Sequence, residues 1–87
     1  MAKRHEADLV LAGRGKRRVV AAYNAMSPEA LRATRGARVD VSIRAGALFL
    51  HFESDTVPAL RALVNSYLRW LSMIEEVLDI VEKGSDV

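Results

Sequence analysis

Eighty-seven residues, 51% hydrophobic and 28% charged, describe one globular domain and exclude both a disordered chain and a second core. With no cysteine, disulfides, thiolate metal sites and cysteine nucleophiles are excluded too, and no apolar run approaches the ~20 residues of a membrane span. The net charge of +2 hides an asymmetry: residues 1–46 hold ten Lys/Arg against four Asp/Glu, and residues 47–87 hold three against seven.

Residues 5–12 alternate, with Ala7, Leu9 and Leu11 set against Glu6, Asp8 and Val10, which predicts a strand. Gly13-Arg14-Gly15 breaks it. Val19, Val20, Tyr23 and Met26 then fall at helical spacing, and Ser27-Pro28 is expected to stop that helix, because the residue before proline is pushed out of the helical region. Residues 29–36 read as a mobile basic loop with one helical turn. Residues 38–44 alternate again, with Val39, Val41 and Ile43 on one side, and Ala45-Gly46 supplies a turn. On the return strand Leu48, Leu50 and Phe52 alternate with Phe49, His51 and Glu53, giving a hairpin with one buried face.

The last helix spans residues 57–83, capped by Asp55 or Thr56, with Pro58 near its start and Gly84 at its end. The order β-α-β-β-α predicts an α+β fold: a three-stranded antiparallel sheet with both helices on one face and strand one beside strand three. Residues 1–4 and 84–87 are expected to be flexible ends of a single domain. The opening MAKRHEAD has no apolar segment of the secretory kind, so the expected location is cytoplasmic.

At 1.5 Å per residue the last helix is about 40 Å long. One heptad position holds Leu60, Tyr67, Ile74 and Val81. A second holds Leu63, Trp70 and Val77, and a third holds Val64, Leu71 and Leu78; Met73 and Ile80 widen the face. Three short strands offer about three inward side chains each, too few to cover such a face. Either the first helix and the chain end complete the cover, or a partner helix does, and the length of the face favours the partner. Leu60, Val64, Leu71 and Leu78 are assigned to the chain's own sheet. Tyr67, Trp70, Ile74, Val77 and Val81 are assigned to partner helices, with Asn65, Ser66 and Arg69 fixing register or simply facing solvent.

The segment LRALVNSYLRWL at 60–71, the helix end Met26-Ser27-Pro28-Glu29 and the arginine-bearing hairpin together resemble the Pcc family. These are the small dimerisation subunits of KEOPS (EKC), the complex that installs threonylcarbamoyladenosine in tRNA. The resemblance implies a non-catalytic α+β subunit that pairs with itself or a paralogue. It also implies docking of the separate catalytic subunit through a helix bundle, and tRNA engagement only within the complex. A different reading of the basic half is a stand-alone RNA-binding module.

Catalytic chemistry is hard to place. His51-x-Glu53 is similar to the His-x-Glu of zinc deaminases, but that site needs cysteine ligands, so the pair reads as strand surface and no metal is assigned. Gly13-x-Gly15 lacks the third glycine of a dinucleotide loop, and no Ser/Thr follows Lys16 as in a P-loop. The chain is therefore read as non-enzymatic, with no cofactor and no small-molecule substrate. Arg14, Lys16, Arg17 and Arg18 crowd the start of the first helix, while Arg32, Arg35, Arg38 and Arg44 follow the loop and hairpin. They are either RNA-backbone contacts or dispersed solubilising charge.

Overall fold

The computed structural model describes residues 4–30 and 36–84. Its elements are β1 (His5–Leu11), α1 (Lys16–Ala30), β2 (Ala37–Arg44), β3 (Ala47–Ser54) and α2 (Val57–Gly84). They form one antiparallel sheet in the order β1-β3-β2, as the alternation requires. Strand β3 lies centrally, and its burial alternates without a break: Leu48, Leu50, Phe52 and Ser54 turn inward. Register sets Ala7 and Val39 on either side of Phe52, and Leu9 and Val41 on either side of Leu50. The inward rows of the three strands therefore meet on one face, as period-two side chains must.

Both helices cover that face. Val19, Ala22 and Met26 of α1 and Tyr67 and Leu71 of α2 close the core over Leu48, Leu50 and Phe52. The carbonyl of Gly15 accepts the first helical bond of α1 from Val19 N at 3.1 Å. At the start of α2, Thr56 Oγ1 accepts from Ala59 N at 3.2 Å, so Thr56 rather than Asp55 is the cap. Pro58 falls in the first turn, where its missing N–H has no helical partner to lose.

Two expectations need correction. Helix α1 does not stop at Ser27-Pro28; it continues through the proline to Ala30. Proline here forfeits one backbone bond within the last turns of a helix, and the restriction on the preceding residue is a bias rather than a bar. Of the loop read at 29–36, residues 29 and 30 therefore belong to α1, residues 31–35 lie outside the described residues, and Gly36 begins the turn into β2. At the chain ends, Arg4 pairs with Glu53 at 3.3 Å and Asp55 at 3.1 Å, and α2 runs to Gly84; residues 1–3 and 85–87 lie outside the described residues. Among the described residues no helix is long and apolar enough to cross a membrane.

Candidate partner-docking surface

The 28 residues of α2 rise about 42 Å, against about 26 Å for an eight-residue strand. The molecule measures 57 × 23 × 19 Å, longer in one direction than α2 itself. Helix α2 starts beside Ser54 and runs back over the sheet, so its first half is covered and its second half extends past the strands. Exposure follows this division: Leu71 is 6% exposed, whereas Met73, Val77, Ile80 and Val81 are 58%, 57%, 69% and 61% exposed. These four large apolar side chains beyond Leu71 thus face solvent in the single chain.

Between α1 and α2 lies an open apolar groove of about 310 Å³, lined by Ala21, Ala25, Trp70, Met73, Ile74, Val77 and Leu78. The two alanines of α1 leave room there that larger residues would fill. At 3.6 residues per turn, Ala62, Ser66, Met73, Val77 and Ile80 share one flank of α2. Small residues at the N-terminal end of that flank border a second hollow of about 470 Å³ with Gly36, Ala37, Ser54 and Thr56. One flank of the helix therefore changes from small to large side chains along its length, which suits a helix laid against it.

The residues assigned to partner helices divide. Val77 and Val81 are exposed, Trp70 and Ile74 are half-buried at the groove, and Asn65, Ser66 and Arg69 face solvent. Tyr67 is a correction: it is 7% exposed within the chain's own core, edge-on to Phe52 at 5.4 Å and tilted against Trp70 at 5.7 Å. It occupies the middle of the helix face directly over the central strand, so a partner cannot reach it. Leu78, assigned to the sheet, instead lines the groove beyond the sheet's end. Leu60, Val64 and Leu71 pack on the core as expected.

Among the described residues, several of the basic side chains already have partners within the chain. Arg18 is held by two carboxylates of α2, Glu75 at 2.7 Å and Asp79 at 2.5 Å, and Arg14 stands 3.9 Å from Glu75. Glu75 and Asp79 are four apart on α2, where like charges on neighbouring turns repel each other. Arg18 relieves that repulsion and clamps the start of α1 to α2, so it acts as a structural clasp. Lys16 and Arg17 remain exposed. Arg38 pairs with Asp40 at 3.2 Å, and the Arg44 guanidinium lies 5.5 Å from the centre of the Phe49 ring. Arg32 and Arg35 lie outside the described residues.

On the outer sheet face His51 and Glu53 lie side by side as the alternation requires. Glu6 and Asp8 of β1 join them, which reading His-x-Glu along one strand had missed. The alternation of β1 places these two acids outward, but only the β1–β3 register brings them to His51. The His51 pKa is raised above 6.5, first by its hydrogen bond to Asp8. Burial opposes this shift, and the charges of Asp8, Glu6 and Glu53 reinforce it.

Comparison with known proteins agrees with this architecture. A family model described as "Transcription factor Pcc1" matches residues 7–79. A solved structure described as the "binary complex Gon7-Pcc1" superposes with a TM-score of 0.77 at 23% identity, covering 88% of this chain and 95% of that one. At that identity the likeness shows the fold. No curated protein matches the chain at a significant level.

Proposed function

The chain belongs to the Pcc1 family, a family of KEOPS subunits, and from that premise we propose that it is a non-catalytic subunit that pairs through α2 and docks the complex's catalytic subunit. In this role it supports threonylcarbamoyladenosine formation in tRNA without performing chemistry itself. The observation that carries the reading is the uncovered apolar end of α2 beside the α1–α2 groove. Fully burying a Met, Val or Ile side chain is worth about 1.5–3 kcal/mol, so covering the exposed part of Met73, Val77, Ile80 and Val81 favours pairing by several kcal/mol before the cost of association. A solved neighbour of the same fold is described in a binary complex with a second protein, which supports pairing as the mode of action.

The pairing partner is an identical copy or a paralogue, and the catalytic subunit contributes helices to the same bundle. Trp70, Ile74, Val77 and Val81 are the contact residues of this proposal, with Asn65, Ser66 and Arg69 at the rim. Tyr67 supports them from beneath through Trp70.

Co-expression with a KEOPS catalytic subunit, followed by mass measurement of the intact assembly, tests the proposal. The expected species contains this chain paired and the catalytic subunit bound. A soluble, monodisperse monomer at tens of micromolar that fails to retain the catalytic subunit would overturn it.

A further inference from the structure

The outer sheet face, opposite the helices, carries a side-chain cluster that the docking surface does not use. Register sets Glu6 of β1 beside Glu53 of β3, and Asp8 beside His51. His51 Nε2 stands 3.1 Å from Glu6 Oε1 and 3.5 Å from Glu53 Oε2, and one ligand atom from each residue lies within 4.8 Å of the others. Two donors bound at ~2.0 Å to one tetrahedral ion are about 3.3 Å apart, and the two measured separations bracket that value. The other ring nitrogen, Nδ1, is 2.6 Å from Asp8 Oδ1. A carboxylate on the far nitrogen is what fixes the tautomer and orientation of a metal-ligating imidazole.

We propose that Glu6, His51 and Glu53 bind one divalent transition-metal ion of the zinc type, with Asp8 as a positioning residue for the imidazole. One nitrogen and two carboxylate donors favour such an ion over magnesium or calcium, which take all-oxygen sites. The fourth position goes to water. The neighbouring charges leave the donors available. Arg4 Nε lies 3.3 Å from Glu53 Oε1, the oxygen other than the one turned to His51. Asp40, opposite His51 on β2, is engaged by Arg38 at 3.2 Å. An ion here ties β1, an edge strand, to the central strand β3, so its effect is to hold the sheet together.

A proton on His51 satisfies the same carboxylates, so the test must separate the two occupants. Chelator-stripped full chain is titrated with Zn²⁺ by calorimetry at mildly alkaline pH, with Mg²⁺ in parallel. The expected result is one Zn²⁺ per chain, no measurable Mg²⁺ uptake and a raised melting temperature with Zn²⁺. Binding is lost in His51→Ala and in Glu53→Gln, weakened ~10-fold or more in Asp8→Asn, and unchanged in His5→Gln, with folding checked by circular dichroism. Substituted Co²⁺ gives the visible absorption of a tetrahedral site. Absence of stoichiometric Zn²⁺ binding, or binding that survives in folded His51→Ala, overturns the assignment and leaves the cluster as a protonated histidine among carboxylates.

Discussion

Ala45 adopts φ of 50° and Gly46 φ of 78°, so the two-residue loop between β2 and β3 has left-handed backbone at both positions. Hairpins prefer this geometry because it matches the strand twist, but an alanine bears the steric cost of the first position. Ala45→Asn is therefore expected to stabilise the fold by about 0.5–1 kcal/mol, measured as a higher urea midpoint with an unchanged slope. Gly36 is the opposite case: at φ 78°, with its carbonyl bonded to Asp55 N, a Cβ would fall 2.6 Å from Asp55 Oδ2. Gly36→Ala is expected to cost about 1–2 kcal/mol by the same measurement. His51 gives a pH signature in the chelator-treated protein. Its folded pKa is raised above 6.5, so the stability it contributes is fully present below that value and is lost as pH rises through the folded pKa. Melting curves across the pH range should show wild type ahead of His51→Gln at low pH, with the gap closing as pH rises; a gap that widens would refute the assigned cause. The turn at Ala45-Gly46 was legible from dipeptide chemistry. The acids around His51 were not, because Glu6 and Asp8 reach it only through strand register.

At the scale of elements, α2 serves two purposes along its length, and substitutions should sort accordingly. Leu71 is buried in the core, so Leu71→Asp is expected to unfold the chain, since placing an unpaired charge there far exceeds the few kcal/mol of a small domain. Val77→Asp with Ile80→Asp lies beyond the sheet, and is expected to leave helicity and melting temperature nearly unchanged while abolishing pairing and catalytic-subunit capture. Circular dichroism together with light scattering separates the two outcomes. The heptad pattern identified the apolar face in sequence, but it could not rank its positions. Tyr67 and Ile74 share a heptad position, yet one is sealed beneath the helix and the other borders the groove. Their difference comes from where the sheet ends, which no helical periodicity encodes. Helix α1 offers the complementary case, because the proline rule is a local steric bias and the helix runs two residues past Pro28.

For the whole molecule, charge placement bears on how RNA is met. Arg18 is committed to Glu75 and Asp79, Arg38 to Asp40 and Arg44 to Phe49, leaving Lys16 and Arg17 as the exposed cations at the start of α1. With these arginines of the described residues engaged, the isolated chain is expected to bind tRNA weakly and with a shallow salt dependence; Arg17→Glu should reduce tRNA affinity measurably only in the assembled complex. Tight, steeply salt-dependent binding by the chain alone would instead favour an independent RNA-binding module. Sequence by itself determined the element order, the inward and outward rows of every strand, a capped start at Asp55 or Thr56 and the surplus of apolar surface on the last helix. These follow from period-two and period-3.6 patterning and from local backbone chemistry, all short-range properties. Only the tertiary structure decided which part of that surplus stays uncovered, which arginines are already paired, and that three carboxylates from two strands converge on one imidazole. Each of those depends on the distance between segments far apart in the chain, set by sheet register and by a helix longer than the strands beneath it.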